Sequence, residues 1–201
     1  EYQVNGIAQI QVHEKVNLTF AMALRSILRQ DPDIVMVGEM RDKETAQISV
    51  QAALTGHLVL STLHTNNAPA TITRMIDMGV EPYLIASTLN LVIAQRLVRR
   101  LCDACKKEYT PAADAIEQLG LSQEEAQNIT FYEPVGCEEC MQTGYSGRLA
   151  LFEVMAMTEQ LSHLVSESAE TSELRKQARK DGMLLLIEDG VRKIQQGRTT
   201  I

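Results

Sequence analysis

No segment of the sequence is long and apolar enough to cross a membrane as a helix, which needs about 18 or more apolar residues in a row. The longest candidate, Leu84 to Ala94, is short and contains Ser87, Thr88 and Asn90, so a spanning helix is excluded. The sequence also lacks an excess of basic residues, because 19 Lys and Arg stand against 26 Asp and Glu, a net charge of −7. This balance argues against a protein that binds duplex nucleic acid by neutralising its phosphates.

At its ends the sequence shows neither an initiating Met nor a secretory signal peptide, and Thr199 and Thr200 precede the last residue like the start of a helix cap. We therefore expect the chain to be a piece of a longer protein. Without a secretory signal we also expect a reducing compartment, in which Cys-x-x-Cys pairs more often bind zinc than form disulfides. The 201 residues, 45% hydrophobic and 22% charged, have the size and composition of a globular protein.

Apolar runs and helical periodicities alternate along the chain. Ile34 to Val37 is a continuous apolar run, which is typical of a strand buried on both faces of a parallel sheet. Further strands are predicted at Ile7 to Val12, Leu58 to Leu63 and Arg148 to Met157. Helices are predicted at Leu18 to Leu28, Asp42 to Leu54, Pro69 to Met78 and Pro82 to Leu101, and a helical segment from Thr158 to Gly197. This alternation predicts an α/β fold.

Polar side chains follow or bracket two of the predicted strands. Glu39 comes directly after the apolar run, and His57 and His64 stand on either side of the next strand. Because ligands bind beyond the carboxyl ends of strands in open parallel sheets, Glu39 is placed to act on a nucleotide, a magnesium ion or water. His64, on the same edge with its Thr and Asn neighbours, can hold a phosphate or sense its loss, whereas His57 could be a polar end group. Each residue alone also fits a plainer interpretation, since an acid after a strand is often a surface loop and a single His is usually structural.

Five arginines lie on one helix face or near the boundaries of predicted elements, and they are candidates for binding phosphate. A guanidinium is a planar donor that suits the oxygens of a triphosphate. Each of them taken alone is about equally well explained as a solvated or ion-paired surface residue. The five are Arg25, Arg29, Arg41, Arg74 and Arg148.

Three longer motifs lie between residues 20 and 66. The first is Phe20-Ala21-x-x-Leu24-Arg25-x-x-Leu28-Arg29-Gln30-Asp31-Pro32-Asp33, and the second is Gly38-Glu39-x-Arg41-Asp42-x-Glu44-Thr45-Ala46. The third is Thr55-Gly56-His57-x-Val59-x-Ser61-Thr62-Leu63-His64-Thr65-Asn66. Together they resemble the secretion ATPase superfamily, the motors of type II secretion and type IV pilus assembly. The resemblance covers nearly the whole chain, and its motifs are long and specific.

The resemblance implies roles for individual residues. Glu39 matches the glutamate of the family's atypical Walker B motif, in which a Gly replaces the usual Asp, and it would help to position Mg²⁺ and the attacking water. His57 and His64 match the histidine box and would sense the γ-phosphate of ATP. Glu1 resembles the last acid of the aspartate box. The five arginines, the last of them in Gly144-Tyr145-Ser146-Gly147-Arg148, fall on family arginines that would bind phosphate, some of them across a subunit boundary.

One departure from the family pattern concerns the phosphate-binding loop. A Walker A loop needs Gly-Lys-Ser or Gly-Lys-Thr, because backbone amides cradle the phosphates while the Lys reaches the β and γ groups. None of the 11 glycines is followed by Lys. Since this loop precedes the aspartate box in the family, we expect the chain to be the C-terminal half of the motor, without part of its parallel sheet. Its remaining strands would then have an exposed edge or pair with another molecule.

The four cysteines form two Cys-x-x-Cys pairs, Cys102 with Cys105 and Cys137 with Cys140. Two such pairs can close a tetrahedral site of four thiolates around one Zn²⁺, with no ligand position left open. This geometry predicts a structural metal site, and disulfides or redox cycling are the alternative. In the family, a tetracysteine module resembles the branch that drives secretion and pilus extension.

The segment between the two pairs is rich in acids, among them Asp114, Glu117, Glu124 and Glu125. Such an acidic face either binds a basic partner or is merely solvated. With the resemblance, the prediction for the whole chain is a RecA-like ATPase core fragment at residues 1–101, a tetracysteine zinc subdomain at 102–147, and a final strand with a helical C-terminal part at 148–201.

By resemblance, the intact protein would be a homo-hexamer that couples ATP hydrolysis, with Mg²⁺, to the assembly of pilin-like subunits. It would be cytoplasmic and peripheral at the inner face of the bacterial inner membrane. Its partners would be an inner-membrane platform protein and cytoplasmic components of the secretion or pilus machine, with no nucleic acid. The rival hypotheses are a non-enzymatic zinc adaptor that only binds the platform protein, and a DNA-translocating relative, which the acidic balance and the cysteine module disfavour.

Overall fold

The computed structural model describes residues 3–201, so the prediction for Glu1 lies outside the described residues. Contacts between Cα atoms divide the chain into two compact units. The first contains the residues up to 90 together with 157–177, and the second contains residues 91–156 together with 178–201. The three segments 1–101, 102–147 and 148–201 stay a prediction as domains.

The first unit combines helices with a two-stranded parallel sheet. Its elements are helix α1 (Phe20–Leu28), strand β1 (Ile34–Val37), helix α2 (Lys43–Leu54), strand β2 (Leu58–Ser61) and helices α3 (Ala68–Asp77), α4 (Pro82–Thr88), α7 (Glu159–Ser166) and α8 (Thr171–Lys180). The last three residues of α8 are counted with the second unit. Strands β1 and β2 pair in register from Ile34 opposite Leu58 to Val37 opposite Ser61.

Side-chain caps fix where helices α1, α2 and α3 of this unit begin. In each case a side-chain oxygen accepts a hydrogen bond from the backbone N–H three residues later, which satisfies a donor that the helix itself leaves unpaired. The capping pairs are Thr19 with Met22 in α1, Asp42 with Thr45 in α2, and Asn67 with Ala70 in α3. A cap of this kind stabilises a helix by about 0.5–2 kcal/mol.

The core of the first unit lies on one face of the sheet. Leu24 of α1 packs with Val35 and Val37 of β1, and all three are at most 4% exposed. The alternate residues Ile34 and Met36 are 61% and 69% exposed. The prediction that this strand is buried on both faces is therefore wrong, because no described element covers the face that carries Ile34 and Met36.

The strand predicted at Ile7 to Val12 is also wrong, since the described chain has no strand there. Ile7 and Ile10 both remain exposed, and the nearest pairing is an isolated antiparallel bridge between His13 and Leu18. A strand needs a neighbour for its backbone N–H and C=O groups. In the described part of the chain, no strand pairs with this segment.

The second unit is built on a long antiparallel ribbon of strand β3 (Leu91–Leu101) and strand β6 (Tyr145–Ala156). The prediction of one helix from Pro82 to Leu101 is therefore wrong, because α4 ends at Thr88 and a strand follows. Short apolar stretches fit both the helical and the strand period. Here the pairing with β6, which lies far away in sequence, decides in favour of the strand.

Between the two ribbon strands the chain forms a small insert bracketed by the cysteines. It contains strands β4 (Lys107–Tyr109) and β5 (Phe131–Glu133), which pair antiparallel, and the short helices α5 (Ala113–Gln118) and α6 (Gln123–Gln127). Ile116, Ala126 and Phe131 form its core, against which Ile194 of helix α9 (Leu186–Gln195) packs.

The α/β class is confirmed, and the helical C-terminal part is confirmed as three separate helices, α7, α8 and α9. Across residues 3–201, none of the helices has the length and apolar character that crossing a membrane requires.

Candidate functional sites

The loop after β1 is tied to the loop after β2 by two hydrogen bonds. The Thr62 hydroxyl donates to the backbone carbonyl of Gly38 at 2.6 Å, and the backbone N–H of Met40 donates to the carbonyl of Thr62 at 3.0 Å. On the other side, both carboxylate oxygens of Asp42 accept hydrogen bonds from Thr45 at 2.8 Å. Glu39 and Arg41 lie between these anchors, on either side of Met40, and are therefore held at the carboxyl edge of the sheet.

Glu39 is the centre of a charged cluster at this edge. One of its carboxylate oxygens accepts a hydrogen bond from Arg41 Nε at 2.6 Å and lies 3.2 Å from His64 Nε2. The Glu39 side chain is 22% exposed, whereas those of Arg41 and His64 are 68% and 81% exposed. The structure thus brings together three of the residues that the sequence predicted as a site, and it leaves two of them open to a ligand.

The surroundings of Glu39 favour its charged form. The hydrogen bond from Arg41 lowers the pKa of the Glu39 carboxyl below its ordinary value, partial burial opposes this shift, and the contact with His64 adds to it. Glu39 is therefore ionised at neutral pH. Because a carboxylate oxygen only accepts hydrogen bonds, His64 must carry a proton on Nε2 and donate it in this contact.

His57 lies at the opposite end of β2. Its Nδ1 is 3.0 Å from the backbone carbonyl of Ala52 and 3.1 Å from the hydroxyl of Thr55. Since the carbonyl can only accept, this nitrogen carries a proton and ties the end of α2 to the start of β2. His57 precedes β2, whereas Glu39 follows β1, and the parallel pairing of the two strands puts these positions at opposite edges of the sheet. The structure therefore does not bring His57 to Glu39, and a catalytic role for His57 stays a prediction.

Among the described residues, the other predicted arginines of the first unit form no hydrogen bond or ion pair with Glu39. Arg25 forms an ion pair with Glu44 at 2.7 Å, and Arg29 donates to the hydroxyl of Ser26 at 3.3 Å. Arg74 is exposed in the last turn of α3. In the second unit, Arg148 is exposed on β6. Their roles in phosphate binding stay predictions.

Ser61, the last residue of β2, is a candidate that the sequence reasoning did not single out. Its hydroxyl oxygen is buried and has no hydrogen-bond partner among the described residues. A buried hydroxyl without a partner costs free energy, so such groups often mark places where a ligand or water completes the structure. The signal in the sequence was its position in the histidine-box motif, directly before Thr62.

The four cysteines converge in the second unit, as their spacing predicted. Sγ to Sγ distances are 3.9 Å between Cys102 and Cys137, 3.8 Å between Cys105 and Cys140, and 3.7 Å between Cys137 and Cys140. All four sulfurs lie within 4.8 Å of one another. Tetrahedral zinc with bonds of about 2.3 Å separates its sulfur ligands by about 3.8 Å. The cluster therefore fits one Zn²⁺ with four thiolate ligands.

Backbone N–H groups point at these sulfurs, as expected for ligands that carry negative charge. The N–H groups of Cys137 and Gly144 donate to Cys140 Sγ, both at 3.2 Å, and that of Gly136 donates to Cys105 Sγ at 3.3 Å. Burial raises the pKa of the Cys140 thiol, but these N–H donors and the neighbouring thiols outweigh it and lower the value to about 6. Burial and the other three thiols raise the pKa of Cys105 to about 11.

Cys140 is ready to bind a cation as a thiolate, whereas Cys105 gives up its proton only when a cation replaces it. All four sulfurs are free of disulfides. The donor set, its size and its N–H donors fit a closed structural zinc site rather than a catalytic one, which would leave a ligand position for water.

The chain is similar over its whole length to proteins of pilus assembly and secretion. The type IV pilus assembly ATPase PilB of Myxococcus xanthus is 51% identical over 205 residues, which are 100% of this chain and 36% of that protein. The type II secretion system protein E of Pseudomonas aeruginosa is 50% identical over 201 residues, 100% of this chain and 39% of that protein. The chain thus spans a little over a third of the length of these relatives.

Among solved structures, the ATPase DotB of Legionella pneumophila is similar to this chain with a TM-score of 0.61 and 26% identity, over 90% of this chain and 40% of that one. The family described as "Type II/IV secretion system protein" matches residues 1–201. Since this match spans every residue, the chain belongs to the Type II/IV secretion system protein family, as its motifs predicted.

Proposed function

We propose that the protein is an ATP-hydrolysing motor that drives the assembly of a type IV pilus or of the pseudopilus of type II secretion. The observation that carries this proposal is the cluster of Glu39, Arg41 and His64 at the carboxyl ends of two parallel strands, in a chain whose relatives are named ATPases. This edge of a parallel sheet is where α/β proteins bind nucleotides.

The chemistry follows from the charge and contacts of Glu39. Mg²⁺ and ATP, when bound, supply a phosphoryl group that water can attack and the charge that neutralises its oxygens. Glu39 is ionised, and a carboxylate is the kind of oxygen ligand that Mg²⁺ prefers and a group that can orient water or accept its proton. The donor set therefore fits Mg²⁺ and a nucleotide.

Arg41 and His64 occupy the same oxygen of Glu39 in this structure. Both are far more exposed than Glu39, so both can turn toward an anion, provided that Mg²⁺ or water takes their place at the Glu39 carboxylate. A phosphate that attracts Arg41 would release one face of the Glu39 carboxylate for water or Mg²⁺. His64, with its proton on Nε2, would donate to a phosphate oxygen in the same way.

The cysteine cluster has a structural role in this proposal. Cys102, Cys105, Cys137 and Cys140 would hold one Zn²⁺, which joins the end of β3 to the start of β6 and closes the insert at its base. Because all four ligands come from the protein, the ion would stabilise the fold and take no part in hydrolysis.

The partners and location are part of the same proposal. The intact protein would be a homo-hexamer in the cytoplasm, peripheral at the inner face of the inner membrane. It would bind an inner-membrane platform protein and other assembly components, with no nucleic acid. The arginines at 25, 29, 74 and 148 would bind phosphate, some of them across a subunit boundary. The family membership and the names of the relatives support this assignment.

Replacement of Glu39 by Gln in the full-length protein tests the motor directly. Loss of the charge should reduce ATP turnover about a hundredfold or more, since a positioned base or water-orienting group contributes about 10²–10⁴-fold. ATP binding should remain within about threefold, because the amide keeps the shape of the site. Steady-state phosphate release and calorimetric ATP titration measure the two effects.

Glu170→Gln is a matched control, because Glu170 is an exposed acid of the same unit outside the cluster. Equal turnover for Glu39→Gln and wild type would remove Glu39 from the mechanism. Absence of ATP turnover in the wild-type full-length protein would favour the non-enzymatic zinc adaptor. Such an adaptor needs the cysteine cluster but not Glu39, Arg41 and His64.

A further inference from the structure

The insert contains a cavity that the motor function does not use. It lies between the end of β4, helix α6 and the start of β5, and it has a volume of about 340 Å³. Most of its lining is apolar, from Tyr109, Pro111, Ile116, Ala126, Ile129 and Phe131. This volume is at the low end of the range for small-molecule sites, about 300–1,000 Å³. It suits one or two large apolar side chains of a bound segment.

The net negative charge of the chain comes from the segment that contains this cavity. Residues 103–139, here called the acidic insert, contain nine Asp and Glu against two Lys, a net charge of −7. This equals the net charge of all 201 residues, because the rest of the chain has 17 basic and 17 acidic residues. The excess of acidic over basic residues therefore comes from the acidic insert alone.

The acids of the insert are available to a partner. All nine are exposed, and Asp103 is the only one of them that forms an ion pair with a residue of the described chain. Asp114 and Glu124 directly adjoin lining residues of the cavity, Ala113 and Gln123. An apolar cavity flanked by unpaired acids is complementary to a segment with one apolar face and basic flanks.

We propose that the acidic insert is a docking site for a basic amphipathic helix of another protein, which places one or two large apolar side chains in the cavity and sets Lys or Arg against Asp114 and Glu124. The charge of −7 would repel nucleic acid and anionic lipid, so a polypeptide is the partner that fits. The basic helix α8 of this chain does not fit, because its apolar residues Leu174 and Ala178 are each only 1% exposed.

This proposal goes beyond ATP hydrolysis and does not depend on it. The test uses the full-length, zinc-loaded protein without nucleotide and a fluorescein-labelled 14-residue peptide of Leu and Lys, patterned so that Leu occupies one helix face. Fluorescence anisotropy measures the dissociation constant at two salt concentrations. We expect saturable one-to-one binding that weakens with salt, and no binding of the corresponding Leu and Glu peptide.

Two test variants, each with a control, measure the contributions of the cavity and of the charge to binding separately. Gln127→Trp places a large side chain in the lining of the cavity, and Gln118→Trp is its control, because Gln118 is exposed in the insert but is not part of the lining. Asp114→Lys with Glu124→Lys reverses two charges in first helical turns. Glu159→Lys with Glu173→Lys makes the same change in the first turns of α7 and α8.

Both test variants should weaken peptide binding about tenfold or more, while both controls stay within about twofold of wild type. Equal weakening by the control pair would show attraction to net charge alone and overturn the proposal. Unchanged binding in Gln127→Trp would exclude the cavity. Stronger binding of phosphatidylglycerol vesicles than of the peptide would show that the surface binds lipid. Self-association at the acidic insert that does not change with salt would show that it binds a second copy of the chain. Either result would overturn the proposal.

Discussion

Glu39, Arg41 and His64 form a charged edge of the sheet, and this edge and the cysteine cluster are both built from loops at the ends of strands. They differ in whether the chain itself supplies every group that the expected ligand needs. At the edge, Glu39 is held by Arg41 and His64, whose side chains are mostly exposed. In the cluster, four sulfurs face one another at the spacing that a metal ion requires, and backbone N–H groups already support them. The cluster has every ligand it needs within the chain, whereas the edge pairs its own charges until a ligand competes for them.

The largest effect should come from breaking the cluster. Replacing Cys137 by Ser removes one of four thiolates, and structural zinc contributes about 10–16 kcal/mol of apparent binding free energy in small domains. We expect about one zinc per chain in wild type, clearly less in the variant, and a lower melting temperature for the second unit. The first unit should keep its helices and strands. Elemental analysis and circular dichroism on heating measure these results.

Ser146→Ala is a control for the loss of a small polar side chain nearby, because Ser146 is exposed on β6 and is not a ligand. Wild-type protein purified without chelator that contains no zinc, or four thiols that react freely with a thiol reagent, would contradict the assignment. Acid should release the metal, since protons compete for the thiolates.

A second prediction concerns how tightly the charged edge binds ATP when no Walker A loop is present. The 201-residue chain contains no Gly-Lys-Ser or Gly-Lys-Thr sequence, and that loop normally provides most of the hold on the β-phosphate. The charged edge alone offers a few charge-assisted hydrogen bonds, each worth about 1.5–3 kcal/mol before the entropy of binding is subtracted. The chain by itself should therefore bind ATP no more tightly than about millimolar and show no turnover.

Calorimetric titration of the isolated chain with ATP and Mg²⁺ measures this affinity, and the full-length protein is the matched comparison. Micromolar binding by the chain alone would mean that the edge is complete without a Walker A loop. The contrast between an incomplete edge and a complete cluster would then fail.

The local sequence predicted which residues come together at these two places, for different reasons. The cysteine spacing alone determines which four sulfurs can share an ion, so no knowledge of the fold was needed. Glu39 and His64 were predicted to meet because carboxyl ends of parallel strands share an edge, and the parallel pairing of β1 with β2 confirms this arrangement. Their catalytic roles stay predictions.

The local sequence could not predict which distant segments pair or pack with each other. Strand β3 was predicted as helix because its apolar residues fit both periods, and only its partner β6 selects the strand. The bonds from His57 to Ala52 and Thr55 depend on how α2 ends. The exposure of Ile34 and Met36 depends on which elements cover the sheet. In each case the deciding contact comes from residues outside the local pattern.

A third, smaller effect is expected for His64→Ala in the full-length protein. If His64 senses the γ-phosphate, the variant should lower ATP turnover about tenfold while its affinity for ADP changes less than about twofold. ADP lacks the γ-phosphate and so offers His64 no partner. His163→Ala is the control, because His163 lies on α7 and contacts Glu167 rather than Glu39. An equal loss of ADP affinity would make His64 a structural residue.

The smallest predicted effect is a shift in the titration of Glu39. Arg41 is the largest cause that lowers the pKa of Glu39, so Arg41→Ala should move this pKa up toward the ordinary value for Glu. A carboxyl whose folded pKa is lowered stabilises the fold above its unfolded pKa, and the stabilisation is lost as the pH falls through the folded pKa. Arg41→Ala should therefore lose a little stability at neutral pH and none at strongly acidic pH.

Carbon-13 NMR of the Glu39 carboxyl measures this shift, and urea unfolding at both pH values measures the linked stability. Arg25→Ala is the matched control, because Arg25 donates to Glu44 rather than to Glu39 and is similarly exposed. The Glu39 titration should be the same in Arg25→Ala and wild type. An unchanged Glu39 titration in Arg41→Ala would mean that the Arg41 contact does not persist in solution, and the charged edge would then be open rather than self-paired before a nucleotide binds.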